Sequence, residues 1–213
     1  AQINFTTSTA AGRAESYIAR GLVGNATHYL RLWTQDTGGG VSGLSNGATA
    51  YALPNPPRDL VFTAVGTDTV AVGWQIGNNR IPVEYQVRVD TDSIAPIVAE
   101  SAFQDSFNRT FEFHGLTPNT TYFFLGLARN TETFVTSELS ALGSTITLAV
   151  APAARPAMSI STGSLVLTWD SAANPGRTEY YAEISTVPGR DPTLASSGWL
   201  AQTSFTFTGL APG

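Results

Sequence analysis

The chain has 213 residues, of which 42% are hydrophobic, 13% charged and 10% aromatic, with a net charge of −5 and no cysteine. A charged fraction far below the roughly 25% of average soluble proteins leaves little for solvated helices, whereas its Ser, Thr, Gly and Pro suit many short strands joined by turns. All 11 basic residues are Arg and none lies in a basic run, which argues against nucleic acid as a partner; the missing Cys excludes thiol catalysis, disulfides and Cys-based zinc sites.

No run of eighteen apolar residues occurs, so no segment reads as inserting in a membrane. The chain opens at Ala1 without an initiator Met or signal peptide, and reads as a mature or internal piece of something longer. Its first legible element is the run Ser16–Arg20, which alternates apolar with polar residues and ends at Gly21-Leu22. The same combination returns as Thr110–His114 with Gly115-Leu116 and as Ser204–Thr208 with Gly209-Leu210, a spacing of 94 both times. Alternation is the period of a half-buried strand, so all three runs are expected to be strands. A second marker keeps nearly the same period: Val70–Trp74 and Leu165–Trp169 are alternating runs ending in Trp, 95 residues apart. A repeat of that length is too long for a solenoid coil and suits a whole sandwich domain of about 100 residues.

After the Pro-rich linker Leu53–Pro57, the middle copy offers seven candidate strands at 59–65, 69–75, 84–89, 97–100 (weak), 108–114, 121–128 and 144–148. Turn signals separate them, such as Gly77-Asn78-Asn79 and Thr117-Pro118-Asn119. A second linker, Ala149–Pro156, leads into the last copy. Both linkers are short and rich in Pro, which keeps a chain extended and semi-rigid. The expected organisation is a partial module at 1–52 (a C-terminal half), a complete one at 53–148 and a partial one at 149–213 (an N-terminal half). Half a sandwich leaves a sheet face and open edges. Two expectations follow: the piece is cut from a longer array, or halves from neighbouring chains complete one another by strand exchange.

These residues resemble the fibronectin type III family, as found in tandem in bacterial-type extracellular arrays. The family's Trp at the end of the second strand is matched by Trp74 and Trp169, and the Tyr opening its third strand by Tyr85 and Tyr180. Its Leu-x-Pro-x-Thr-x-Tyr motif is matched by Leu116, Pro118, Thr120 and Tyr122, followed by Phe124, Gly126, Ala128 and Asn130 on the sixth strand. The resemblance implies an all-β fold of tandem immunoglobulin-like sandwiches. It also implies that Tyr122 makes a tyrosine corner, its hydroxyl bonded to the upstream backbone. The first copy departs from the motif, with Gly24, Ala26 and His28 at the Pro, Thr and Tyr positions. There the His28 ring, or Tyr29 through a local bulge, is left to make the corner.

No residue set reads as catalytic, cofactor-binding or metal-binding. Gly43–Gly47 fits the G-x-S-x-G pattern of a nucleophile elbow, but that chemistry needs a strand-to-helix turn and none is expected. His28 and His114 have no partner at ligand spacing. Asp90-Thr91-Asp92 lacks the further ligands and closing Glu of a calcium loop, and Gly189-Arg190-Asp191 is not the integrin tripeptide. Four glycosylation sequons stand at Asn4, Asn25, Asn108 and Asn119.

If Phe124, Gly126 and Ala128 point inward, alternation sends Phe123, Leu125 and Leu127 outward. The matching positions of the first copy are Tyr29, Arg31 and Trp33. These residues form a candidate assembly face, since aligned large apolar groups outside a sheet await a partner. The chain is accordingly expected to be a non-catalytic structural or adhesive array of an extracellular surface protein or self-assembling filament. Its expected partners are other copies of itself or neighbouring modules, with no cofactor. The alternatives are spacer modules of a secreted polysaccharide-degrading enzyme, or an adhesin for a glycan or matrix ligand reading its target through the loops Gly77–Arg80 and Asn130–Phe134.

Overall fold

A computed structural model describes residues 14–92, 97–158, 160–188 and 193–211, and among them it contains strands and no helix. In the first segment, β1 (Ala26–Leu30) and β2 (Ala48–Ala52) pair as an antiparallel ribbon. The run Ser16–Arg20 is not a strand. Its counterparts in the later copies are strands because each lies beside the Trp-bearing strand of its own module. The described residues of the first segment hold no such neighbour to bond its N–H and C=O groups.

The middle segment holds β3 (Arg58–Val65), β4 (Val70–Gln75), β5 (Val83–Asp90), β6 (Ala99–Glu100), β7 (Gln104–Asp105), β8 (Thr110–Phe113), β9 (Thr121–Asn130) and β10 (Ser140–Ile146). They make two antiparallel sheets, β3-β4-β8 and β10-β9-β5, with β6 and β7 both paired to the free edge of β5. The expected weak fourth strand at 97–100 is therefore two short pieces. Between them the chain leaves the ladder, where the Ser101 hydroxyl accepts the Val87 N–H at 3.1 Å. The last strand starts earlier than its expected 144, because a bulge between Ala141 and Gly143 carries pairing back to Ser140.

The two sheets close on Val70, Val72, Trp74, Val83, Tyr85, Val87, Val89, Phe113, Leu116, Tyr122, Phe124 and Ala128. Phe124 sits at the centre, edge-on to Phe62 at 5.2 Å and to Phe113 at 5.7 Å between ring centroids, the geometry that aromatic quadrupoles favour. Gly126 is required here: a Cβ on it would stand 2.5 Å from Pro57 Cγ and 2.7 Å from Leu142 Cδ1.

The last segment holds β11 (Ala153–Ala154), β12 (Ser164–Asp170), β13 (Tyr180–Ile184), β14 (Ala195–Leu200) and β15 (Ser204–Thr208). These form the sheets β11-β12-β15 and β13-β14 around Trp169, Tyr180, Ala182 and Phe207. The repeat is visible in the backbone too. Gly21, Gly115 and Gly209 all take φ near +70° (69°, 71° and 71°), a conformation only Gly adopts without steric cost.

Candidate interaction surfaces

The residues expected to mark the fold lie inside it. Trp74 and Trp169 close equivalent strands in their respective cores, and Tyr85, Leu116, Pro118 and Tyr122 are buried. Each indole N–H is buried without a hydrogen-bond partner, so these rings contribute by packing. The Tyr122 hydroxyl accepts the Thr117 N–H at 2.8 Å. In the first copy the His28 ring takes over: its Nε2 lies 2.9 Å from the Val23 carbonyl oxygen, five residues upstream just as Thr117 is from Tyr122.

The outer face of β9 differs from the expectation. Phe123 and Leu125 are half-buried and Leu127 is only 6% exposed, so they form no bare apolar patch. The register explains this, because Asp90, Arg88 and Gln86 of β5 lie directly opposite Phe123, Leu125 and Leu127. The long Arg88 side chain can lay its stem over an apolar neighbour with its head partly in water, whereas Gln86 and Asp90 are themselves buried, so their polar heads are held inside the protein. Those heads are tied down: Gln86 donates to the Ser101 carbonyl at 2.9 Å, and Arg88 reaches Gln86 at 3.0 Å and Glu100 at 3.1 Å. At the end of the row Arg129 pairs with Glu84 at 2.7 Å and lies 3.7 Å over the Phe103 ring, with Phe134 at 5.4 Å. Tyr29 and Trp33, by contrast, are 79% and 57% exposed, since β1 pairs only with β2 among the described residues.

The loops expected to read a ligand are partly engaged by the first segment. Within Gly77–Arg80, Asn78 accepts the Gly24 N–H and Arg80 donates its N–H to the Gly24 carbonyl, both at 2.9 Å. Asn130 donates to Asn25 at 2.7 Å. This end of the middle module therefore sits against the first segment, while Asn78, Arg80, Glu132, Thr133 and Phe134 of the two loops stay exposed. Among the sequons, Asn25 is buried and hydrogen-bonded, which removes it as an acceptor in the folded chain. Asn119 is half-buried and donates to Thr178 at 2.8 Å. Asn108 is exposed, and Asn4 lies outside the described residues, as do Gly189, Arg190 and Asp191.

Ser45 of the G-x-S-x-G stretch sits in a loop, its hydroxyl accepting the Leu32 N–H at 2.9 Å and donating to the Asn46 carbonyl at 2.8 Å. Asp90 Oδ1 accepts the Thr91 N–H at 2.7 Å as a polar turn. Among the described residues no three His, Cys, Asp or Glu side chains group as metal ligands, and no helix is long and apolar enough to cross a membrane.

Facing antiparallel sheets, a Trp at the end of the second strand and a tyrosine corner define an immunoglobulin-like sandwich, a fold that serves as a structural or interaction module. The sequence model of the fibronectin type III domain matches residues 55–139, and the middle module belongs to that family. Similar solved structures include a two-domain fibronectin type III segment of chicken tenascin. It is 16% identical with a TM-score of 0.49, and the match covers 75% of this chain and 86% of that one. Domains A168–A170 of titin are 22% identical with a TM-score of 0.36, covering 50% and 37%. A domain of human fibronectin type III domain containing protein 3 is 19% identical with a TM-score of 0.38, covering 45% and 86%. No curated protein matches the chain in sequence.

Proposed function

We propose that the chain works outside the cell as a non-catalytic array, a stalk or adhesive spacer whose modules stand in series. The observation that carries this reading is the direct stacking of like modules across short Pro-rich linkers, with the Gly77–Arg80 end of one module taken up by its predecessor. The backbone of that loop end is spent on a neighbour, which favours a spacing role over a reading one.

Self-association fits the same picture. In the middle module β9 pairs with β5, whereas the corresponding strands β1 and β13 have that edge unpaired among the described residues. Carrying the β5–β9 register along the repeat sets Arg31 opposite Glu183, Trp33 opposite Tyr181, and Leu30 opposite Ile184. Opposite charges, an aromatic pair and an apolar pair are the cross-strand neighbours that stabilise sheets. A second copy adds its β1–β2 ribbon to β13 by strand addition and so covers Tyr29 and Trp33. Light scattering of the chain across a concentration series should show growing oligomers, weakened by Arg31→Glu and restored by adding Glu183→Arg. A monomer at every concentration would remove the self-association. Electron microscopy of the native material decides the wider role. Long uniform fibres support the array, and isolated flexible particles support spacer modules of a secreted polysaccharide-degrading enzyme.

A further inference from the structure

Both module boundaries are fastened by asparagines at repeating positions. At the first, Asn79 in the β4–β5 loop folds onto the linker. Its Oδ1 accepts the Asn55 N–H at 2.6 Å and its Nδ2 donates to the Asn55 carbonyl at 2.8 Å, the pair of bonds a strand neighbour would make. At the second, Asn174 does the same to Val150, with both bonds at 2.8 Å. Each asparagine is 24 residues from its partner. Each is also tied to its own module, Asn79 donating to the Tyr85 hydroxyl at 2.9 Å and Asn174 to the Ser171 carbonyl at 2.8 Å.

A second asparagine reaches in from the preceding module. Asn25 and Asn119 precede β1 and β9, 94 residues apart, and both take the left-handed conformation (φ 54° and 46°) that Asn tolerates best among side-chain-bearing residues. Their N–H groups donate to the carbonyls of Leu53 and Leu148, at the entrance to each linker, at 3.3 and 3.2 Å. Their side chains cross to the following module, Asn25 donating to the Arg80 and Pro82 carbonyls at 2.6 and 2.8 Å, and Asn119 to Thr178 at 2.8 Å. Asn25 Oδ1 also accepts from Asn130 and from the Tyr51 hydroxyl. All four bonding positions of its amide are thus used, and the residue is only 5% exposed. Gly24 closes the joint, since a Cβ there would collide with Asn55 Nδ2 and Asn79 Oδ1.

We propose that this two-asparagine clasp fixes one orientation between consecutive modules, so that each module's β4–β5 loop end is a docking surface for the module before it. Neighbouring domains move relative to one another unless an interface holds them, and a Pro-rich linker constrains its own path but not the twist across it. A fully satisfied polar network specifies a single arrangement, and this one holds the linker from both sides. The second joint, where Asn119 makes one cross-module side-chain bond in place of two, opens more easily. The inference concerns contacts within one chain and stands apart from any filament or spacer role.

Because the chain lacks Cys, spin labels can be placed cleanly at exposed sites: Ala48→Cys with Glu112→Cys spans the first joint, and Glu112→Cys with Thr206→Cys the second. Pulsed dipolar spectroscopy should give one narrow distance across each joint. The narrow peak should be lost across the first joint in Asn25→Ala with Asn79→Ala and across the second in Asn174→Ala, the other joint keeping its own. Gly24→Val leaves both asparagines in place while driving a side chain into their bonds, and should cost the first joint its peak with the middle-module core intact. Broad distances in the parent chain, or a narrow peak that survives Gly24→Val, would overturn the proposal.

Discussion

Replacing Gly126 with Ala tests the packing of the middle module at its tightest point. The added methyl would lie 2.5 Å from Pro57 Cγ, 3.1 Å from Pro57 Cδ and 2.7 Å from Leu142 Cδ1, where carbon atoms rest at about 3.5–4.0 Å. Leu142 is half-buried and can turn its side chain aside. Pro57 cannot, since its ring is fully buried and its φ is locked. Overpacking of this kind costs about 1–3 kcal/mol. Against it stands the lower entropy of the unfolded chain when Gly becomes Ala, worth about 0.4–1 kcal/mol, because Gly126 has no positive φ to protect. The net expectation is a loss of about 1–2 kcal/mol, a factor of roughly 5–30 in the unfolding equilibrium. Hydrogen exchange of the peptide covering β9 reads this locally, free of the other segments, as a rate increase of the same factor. Adding Pro57→Ala should recover most of the loss in a double-mutant cycle. Exchange rates unchanged by Gly126→Ala, or no recovery with Pro57→Ala, would refute the close approach of linker and sixth strand.

Tyr122→Phe strands the Thr117 N–H and should cost the middle module about 1–2 kcal/mol by the same assay; His28→Ala should cost less, because that bond is exposed. On acidification, stability should fall in the range below the ordinary carboxyl value of 3.8. Backbone N–H donors from Asn108 and Phe107 hold Asp105 below that value, and Arg155 does the same for Asp170. Stability contributed by a lowered carboxyl is present above its unfolded pKa and lost as pH falls through the folded one. At the alkaline end burial raises Tyr85 above the usual 10.0, so its contribution is intact below pH 10.0 and disappears as pH rises through the raised value; ultraviolet titration should show that Tyr85→Phe removes a late ionisation coupled to unfolding. In a glycosylating host, peptide mapping of the folded protein should find sugar at Asn108 and none at Asn25.

The module itself was legible in the sequence because its marks are local. Gly115-Leu116, the strand ending in Trp74 and the Leu116-to-Tyr122 motif each lie within one run and recur at one spacing. The outer face departs from its sequence pattern for a physical reason: alternation says which way Leu127 points but nothing about which side chains of β5 lie across it. The Ser16–Arg20 run failed as a strand because a strand depends on its neighbour as much as on its own pattern. The joints join residues 24 to 105 positions apart, for which no local pattern exists. One signal was available, since Asn79 and Asn174 keep the Trp spacing and Asn25 and Asn119 keep the Gly-Leu spacing.

The two-residue strands β6 and β7 have a consequence for how such rods meet. An exposed β-edge can template the next chain without limit, and natural sheets blunt this by keeping edge strands short and interrupted. Here the outermost ladder of the middle module is broken at Ser101–Phe103, so no continuous row of backbone donors and acceptors faces outward on that side. Contact along that flank must then run through side chains, which can be tuned or reversed by single substitutions, and backbone pairing is left to other edges such as those of β1 and β13.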